Sequence, residues 1–307
     1  MTRHFLADDD FTPVEQAEVL ALAARMKAAP FAAKPLEGPV TVAMIFDKPT
    51  LRTQASFAAG IAELGGHPTL VDGALAGIGK RESVADVARV LGRQAGQIVW
   101  RTYAQRAIEE MAAHSGVPVI NALTDEFHPC QLLADLLTIT EHKGTLAGLK
   151  AVFLGDAACN MGNSWALAGA SAGMHVVLSG PLGYQPEESM VERARAIAVV
   201  TGGSVSIEVD PRAAVADADV VITDTWVSMG KEDESAARLA DLAPYQLNAE
   251  LLAVAKDDAI VMHCLPAYRG KEITAEVLDG PRSVIWDEAE NRRHAQKAVM
   301  AWLQDRR

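Results

Sequence analysis

Two hydroxyl groups and an arginine stand close together in the segment Thr50-Leu51-Arg52-Thr53. The segment follows an apolar run at residues 40–46 and precedes apolar residues at helical spacing. Free backbone N–H groups at a helix N-terminus and a guanidinium group both attract negative charge, so this segment predicts an oxyanion or phosphate site. An ordinary helix cap beside a solvated arginine explains the same residues equally well.

Further polar residues follow two later apolar runs. Arg101 ends one run, and His128, Pro129 and Gln131 come after the next. An imidazole and a carboxamide three residues apart can face one ligand oxygen, and Pro129 suits the first turn of a helix. Taken alone, a solvated arginine and a structural His–Gln pair are the simpler interpretations.

A carboxylate and a thiol follow two apolar runs in the second half of the chain. Asp224 comes directly after residues 220–223 and could bind an amine or ammonium group, although a helix cap accounts for it equally well. Cys264, in His263-Cys264-Leu265-Pro266, could present a polar thiol to a ligand. A buried, inert cysteine is the more common case.

These residues are positioned by a regular alternation of short apolar runs with segments of helical periodicity. The alternation predicts an α/β protein with two doubly wound parallel-sheet domains, at residues 1–130 and 131–307, and a last helix at 293–304 that closes the chain and packs back on the first domain. Ligands of such sheets bind at the carboxyl ends of strands, where these polar segments lie. The predicted strands are 40–46, 69–71, 97–101, 117–121, 151–155, 175–179, 205–209, 220–223 and 260–264.

Composition and charge exclude several classes of protein. Half of the 307 residues are apolar, and 40 acidic against 28 basic residues leave a formal charge of -12, which disfavours a nucleic-acid partner. Three dispersed cysteines argue against a disulfide scaffold or a cysteine-rich zinc site. We find neither a signal peptide nor the roughly 18 consecutive apolar residues of a membrane helix, and so expect a cytoplasmic protein.

Taken together, the polar segments resemble the transcarbamylase family, most closely the ornithine carbamoyltransferases. Three segments carry most of the resemblance: His128-Pro129-Cys130-Gln131, the D-x-W-x-S-M-G segment from Asp224 to Gly230, and His263-Cys264-Leu265-Pro266. Each segment is rare, and all three occur in the family's order. The resemblance therefore covers essentially the whole chain.

The resemblance implies that a carbamoyl group passes from carbamoyl phosphate to the side-chain amine of L-ornithine, giving L-citrulline and phosphate. It also implies no metal, no organic cofactor, and a homotrimer or a multiple of it. The implied site residues form three sets. The positions that contact the donor phosphate correspond to Thr50, Leu51, Arg52, Thr53, Gly77 and Arg101. The positions around the carbamoyl group correspond to His128, Gln131, Cys264, Leu265 and Arg292. The positions around the amino acid correspond to Asn160, Asp224, Ser228 and Met229.

The same resemblance assigns roles to some of these residues. The arginines, His128 and Gln131 would stabilise developing negative charge, while Asp224 and Cys264 would orient the attacking amine and help to deprotonate it. Closure of the loop at residues 226–236 would exclude water from the reaction.

Five positions depart from the family pattern. Leu51 and Gln54 replace a threonine and an arginine of the usual S-T-R-T-R loop, and Gly77 replaces a glutamine that a neighbouring subunit offers to the donor. A lost charge-assisted hydrogen bond costs about 1.5–3 kcal/mol, so these changes predict weaker binding of carbamoyl phosphate. The sequence leaves open whether Lys48, Lys80 or Arg81 compensates for Gln54. On the acceptor side, Cys159 replaces an asparagine and Tyr268 replaces a histidine.

Three hypotheses about function follow. The first is an ornithine carbamoyltransferase of arginine biosynthesis. The second is a specialised paralogue in secondary metabolism with an altered donor or a related amine acceptor, which Leu51, Gln54 and Gly77 favour. The third is a catalytically silent subunit that binds an amino acid, although the retained Arg52 and Asp224 weigh against it. A nicotinamide-dependent oxidoreductase has no G-x-G-x-x-G motif to support it.

Overall fold

A computed structural model describes residues 2–227 and 232–306, in which short strands alternate with helices. The chain divides into two compact units, one of residues 1–137 with 290–307 and one of residues 138–289. The strands are β1 (Thr41–Phe46), β2 (His67–Asp72), β3 (Gln97–Arg101), β4 (Val119–Leu123), β5 (Lys150–Leu154), β6 (His175–Ser179), β7 (Ser204–Ile207), β8 (Val220–Thr223) and β9 (Ile260–His263). The helices are α1 (Pro13–Ala28), α2 (Arg52–Glu63), α3 (Gly73–Ala76), α4 (Val84–Gln94), α5 (Gln105–Ser115), α6 (Pro129–Lys143), α7 (Asn160–Ser171), α8 (Glu188–Thr201), α9 (Pro211–Val215), α10 (Ser235–Leu242), α11 (Ala249–Leu252), α12 (Ala275–Leu278) and α13 (Ile285–Gln304).

The first unit is built on a parallel sheet with the strand order β2-β1-β3-β4. All of β3 is buried, which is typical of a parallel strand with helices on both faces. Val42 and Met44 of β1 pack in a core with α1, α2 and α13, whereas Ala43 and Ile45 pack in a second core with α4 and α5. The alternation of side chains along one strand thus supplies both faces of the sheet.

A side-chain cap fixes the start of the first long helix, α1. The Thr12 hydroxyl accepts a hydrogen bond from the Glu15 backbone N–H, and the Glu15 carboxylate accepts one from the Thr12 backbone N–H. With Pro13 in the first turn, this is the capping box that the sequence predicts.

The second unit is built on a five-stranded parallel sheet in the order β7-β6-β5-β8-β9. Apolar residues of β5, β8 and β9 pack against α9, α11 and α12 in one core. The two parallel sheets with flanking helices confirm the predicted α/β class and its two doubly wound sheets. In the described part of the chain, no helix is both long and apolar enough to cross a membrane.

The last helix differs from its predicted bounds. It begins at Ile285 rather than at Arg293, so Arg292 lies inside the helix and not in a segment before it. Asp287 and Glu288 occupy its first turn, where the helix dipole favours acidic side chains. The short helices α3, α11 and α12 have too few residues to show a helical period, and the sequence did not predict them.

Candidate active site

One group of predicted site residues lies at the carboxyl edge of the first unit's sheet. Phe46 of β1 pairs with Arg101 of β3, and Arg101 pairs with Leu123 of β4. The segments that follow β1 and β4, and Arg101 itself, are therefore neighbours on this edge. Arg101 is buried, although the sequence alone would allow a solvated arginine.

The loop after β1 leads into α2, whose first residue is Arg52. Leu51 occupies the N-cap position, is 77% exposed and gives the helix no side-chain cap. The buried Thr53 hydroxyl accepts a hydrogen bond of 2.9 Å from Nη2 of Arg292, a residue of α13. The first N–H groups of a helix have no partner within the helix, so this terminus can bind an anion. Thr50 lies half-buried just before it.

His128 and Gln131 lie at the start of α6 and are both buried. Gln131 donates a hydrogen bond of 2.8 Å from Nε2 to Oδ1 of Asp135. Burial lowers the pKa of His128 well below its ordinary value of 6.5, and the positive charges of Arg292, Arg101, Arg52 and Lys48 lower it further. His128 is therefore neutral at physiological pH and able to donate one N–H to a ligand oxygen.

The lowered pKa of His128 predicts that the protein loses stability in acid. His4 and His294 share the same direction, because burial lowers the pKa of each. A histidine whose folded pKa lies below its unfolded value of about 6.5 destabilises the fold as pH falls through that value. We expect the urea midpoint to fall between about pH 7.5 and pH 5.5, and to fall less in His128→Asn. An equal fall in both proteins would contradict the assignment to His128.

Gly77 and Cys130, two more residues of the first unit that the sequence singled out, are described by their backbone conformation and burial. Gly77 ends α3 with φ of 66°, and a Cβ placed on it would lie 3.1 Å from Cβ of Arg81. Cys130 is buried, donates from Sγ to the Asn121 carbonyl at 3.4 Å, and has a pKa raised by burial to about 12. A thiol with this pKa is not a nucleophile at neutral pH.

A second group of predicted site residues lies at the carboxyl edge of the second unit's sheet. Leu154 of β5 pairs with Thr223 of β8, which pairs with His263 of β9. Asp224 and Cys264 follow the last two of these strands, and Sγ of Cys264 donates to Oδ1 of Asp224 at 3.1 Å. The same Oδ1 accepts the Thr225 N–H at 2.7 Å.

Burial dominates the electrostatics around Asp224. It raises the pKa of the Asp224 carboxyl, although the hydrogen bonds from the Cys264 thiol and the Thr225 N–H favour the ionised form. Burial and the carboxylates of Asp156 and Asp224 raise the pKa of the Cys159 thiol well above its ordinary value. Cys159 is the N-cap of α7, and Asn160 is the first residue of that helix. A carboxylate with a raised pKa is a stronger proton acceptor.

His263 orients the segment that contains Cys264. Its Nδ1 accepts the Leu265 N–H at 2.9 Å, so its proton lies on Nε2, which contacts the buried Glu272 carboxylate at 3.2 Å. Leu265 has φ of 58°, in the left-handed region. Oxygen, nitrogen and sulfur atoms of Asp224, His263 and Cys264 lie within 4.8 Å of one another, but both ring nitrogens of His263 are already engaged. Histidine therefore offers this cluster no ligand atom for a metal.

Arg238, a buried residue of α10, joins the segments on either side of this cluster. Its guanidinium pairs with Asp156 after β5, and its Nε donates to the Trp226 carbonyl after β8 at 2.6 Å. It thereby positions the segments that lead to Asn160 and away from Asp224. The contacts of Arg238 join distant parts of the sequence, and no local pattern pointed to them.

The structure thus assembles Arg52, Arg101, His128 and Arg292 in the first unit, and Asp224 with Cys264 in the second. Lys48, two residues after the end of β1, also lowers the pKa of His128 by its charge. From the sequence it was expected only as one of three cations that could compensate for Gln54. Ser228 and Met229, which the resemblance assigns to the amino acid, lie outside the described residues.

Comparisons with known proteins match both units of the chain to the same protein family. Residues 3–141 match "Aspartate/ornithine carbamoyltransferase, carbamoyl-P binding domain", and residues 147–303 match "Aspartate/ornithine carbamoyltransferase, Asp/Orn binding domain". An ornithine carbamoyltransferase of Clavibacter michiganensis is 60% identical over 303 residues, which is 99% of each chain. One of Renibacterium salmoninarum is 59% identical in an alignment of 310 positions that covers all of both chains.

Two solved structures have the same fold. The ornithine carbamoyltransferase of Pyrococcus furiosus has a TM-score of 0.94 at 44% identity, with 98% of this chain and 96% of that chain covered. The anabolic enzyme of Campylobacter jejuni has a TM-score of 0.95 at 36% identity, with 99% and 100% covered. From these matches, which extend over its whole length, we conclude that the chain belongs to the aspartate/ornithine carbamoyltransferase family.

Proposed function

We propose that this protein transfers the carbamoyl group of carbamoyl phosphate to the side-chain amine of L-ornithine, forming L-citrulline and phosphate. The observation that carries the proposal is the group of positive charges around a buried, neutral imidazole. Arg52, Arg101 and Arg292 all act on His128, at the edge of the sheet where α-helical N–H groups are also available. Such a group suits a doubly charged phosphate and the carbonyl oxygen joined to it.

In the proposed reaction the amine lone pair of ornithine forms a bond to the carbonyl carbon of carbamoyl phosphate. The carbonyl electrons move to oxygen, where the His128 N–H and the arginines stabilise the negative charge. The bond from carbon to the phosphate oxygen then breaks, and that electron pair leaves with phosphate. Asp224, oriented by Cys264, accepts a proton from the attacking amine.

We assign the donor to the first unit and the amino acid to the second. The phosphate-binding groups Arg52, Thr53 and Arg101 belong to the first unit, and Asn160 and Asp224 belong to the second. The descriptions of the two matched family domains, for carbamoyl phosphate and for aspartate or ornithine, support the same assignment.

We also propose that the protein works in the cytoplasm as a homotrimer or a multiple of it. The edge strand β2 supports an assembly, because its residues are exposed or half-buried along their whole length. Leu70 on this strand and Leu75 just beyond it are 53% and 81% exposed. Apolar side chains exposed on an edge strand mark a surface on which another chain can pack.

A specialised enzyme with a different donor is the second candidate. Leu51, which gives α2 no cap, and the uncharged Gln54 favour it, because both lie where the donor phosphate would bind.

The test of the proposal is release of citrulline and phosphate by the purified protein with carbamoyl phosphate and ornithine. The donor is supplied well above millimolar concentration, so that weak binding cannot hide turnover. Stoichiometric citrulline and phosphate support the proposed function. No citrulline, with ornithine bound in a calorimetric titration, would instead favour the second candidate.

Arg52→Ala is expected to reduce turnover by about 10²- to 10³-fold, because its guanidinium would meet charge that develops during transfer. Thermal unfolding should change little, since Arg52 lies at the exposed start of α2 and its side chain is only half-buried. Arg106→Ala, at an exposed position of the same unit, serves as the control and should keep full activity. Unchanged turnover in Arg52→Ala would show that the phosphate binds elsewhere.

A further inference from the structure

Glu272 carries a buried carboxylate to which the proposed reaction gives no role. It lies between β9 and α12, and the side chains of Glu272 and of its neighbour His263 are both 0% exposed. A buried carboxylate is costly unless hydrogen-bond donors compensate for its lost hydration. Two donors meet the same oxygen here, since Oε1 accepts the Tyr268 N–H at 2.5 Å and lies 3.2 Å from Nε2 of His263. Glu272 thus joins the end of β9 to the segment that follows it.

The backbone around Glu272 is anchored in the core of the second unit. The Glu272 carbonyl accepts the Leu247 N–H at 2.8 Å, and the Leu247 carbonyl accepts the Thr274 N–H at 3.1 Å. Ile273, the residue after Glu272, is completely buried among the apolar residues of this core. The carboxylate therefore has a fixed place from which to orient the His263 ring.

The two contacts of the His263 ring determine where its proton lies. Nδ1 accepts the Leu265 N–H at 2.9 Å and so carries no proton, which leaves the proton on Nε2, facing Glu272. The other tautomer would set a ring N–H against the Leu265 N–H and a nitrogen lone pair against the carboxylate. Glu272 therefore selects the tautomer that the contact with Leu265 requires.

The backbone of Leu265 depends on that contact. Its φ of 58° lies in the left-handed region, which a leucine adopts only where neighbouring groups hold it. Cys264 lies directly before this turn, and its Sγ donates to Oδ1 of Asp224 at 3.1 Å. The direction of the Cys264 thiol therefore depends on the turn at Leu265, and so on the ring of His263.

We propose that Glu272 is a positioning residue for carbamoyl transfer, because it fixes the His263 ring that directs the Cys264 thiol. The thiol in turn orients Asp224, the proposed proton acceptor. Glu272 takes no proton from the substrate, and its effect on the reaction passes through the geometry of these neighbours. This inference rests on the proposed function, since it concerns the same reaction.

The experiment measures kcat, the KM for both substrates and thermal unfolding in full-length variants. Glu272→Met removes both acceptor oxygens and keeps a long side chain. We expect its kcat to fall about tenfold to a hundredfold because Asp224 is misplaced, with the KM for carbamoyl phosphate unchanged. Glu276→Met, the same change at an exposed position of α12, is the control and should keep full activity. A folded Glu272→Met with the kcat of the control would overturn the inference.

Two further variants separate positioning from folding and from charge. Glu272→Gln keeps an oxygen for the two N–H donors that meet at Oε1, so it should retain most of kcat. Glu272→Asp keeps the charge, but its side chain is one C–C bond too short to reach His263, so kcat should fall. If Glu272→Met does not fold, these two variants decide, and a kcat in Glu272→Asp as high as in Glu272→Gln counts against the inference.

A spectroscopic readout distinguishes this inference from the proposed function. Nuclear magnetic resonance of histidine ring nitrogens separates protonated from unprotonated nitrogen, and the His263 signals are those that disappear in His263→Asn. We expect a proton on Nε2 in the unaltered protein and in Glu272→Gln, and a mixture of tautomers in Glu272→Asp. An unchanged tautomer in Glu272→Asp contradicts the role of Glu272, whether or not citrulline forms. If the tautomer changes as expected and the unaltered protein makes no citrulline, only the proposed function is contradicted.

Discussion

Replacing Asp224 with asparagine is expected to abolish citrulline formation while leaving the protein as stable as before, or more stable. Loss of the proton acceptor should lower the rate by about 10²- to 10⁴-fold. The asparagine Oδ1 can still accept the hydrogen bonds from the Cys264 thiol and the Thr225 N–H, so the local structure should persist.

The expected effect on stability follows from the raised pKa of Asp224. A carboxyl whose folded pKa exceeds its unfolded value binds its proton more tightly in the fold, so it destabilises the fold increasingly as pH rises above the unfolded value of about 4. Asparagine removes this cost at neutral pH. The measurements are kcat, the KM for ornithine, and the thermal midpoint at pH 7.

The control for this prediction is Asp257→Asn, at an exposed position of the same unit, which should alter neither activity nor stability. Retained turnover in Asp224→Asn, or a thermal midpoint well below that of the control, would contradict the proposed role of Asp224.

The second large effect is expected from restoring the family residues in the phosphate loop. Leu51→Thr combined with Gln54→Arg should lower the KM for carbamoyl phosphate about tenfold or more, because each change adds a donor to the phosphate. Threonine at the N-cap should also accept an N–H of the first turn and stabilise α2 by about 1 kcal/mol, which leucine cannot do. Initial rates over a range of donor concentrations and thermal unfolding measure the two effects separately.

Glutamine at position 77 belongs in a separate variant. Gly77 has φ of 66°, and a side chain there would crowd Arg81, so Gly77→Gln carries a conformational cost of about 1 kcal/mol. If the double variant does not improve donor binding although α2 is stabilised, the loop is adapted to a different donor, and the second candidate function becomes the better one.

The strands were the most predictable part of the fold. The predicted strands at 97–101, 175–179 and 220–223 have the observed bounds, and the other six are displaced by at most a few residues. Buried parallel strands appear in the sequence as short apolar runs because helices cover both of their faces. The start of α13 at Ile285 escaped prediction, because its first turns combine apolar and acidic residues without a clear repeat.

The candidate site was predictable where single segments carry several polar residues after a strand, as at Asp224 and Cys264. At each segment the sequence allowed both a site residue and an ordinary structural residue, and only tertiary contacts distinguish the two. Burial of Arg101 and the hydrogen bond from Arg292 to Thr53 cannot be deduced from local sequence, because their partners lie far away along the chain. The same reason explains why Arg238 was missed.

The contacts of Arg238 couple the local unfolding of three segments of the second unit. The Asp156 segment and the Trp226 segment both contact one buried guanidinium of α10, so local unfolding of any of the three breaks a contact of Arg238. Such segments form a single cooperative unit, with one free energy of opening. Their amide protons therefore exchange with solvent together, although these segments lie far apart in the sequence.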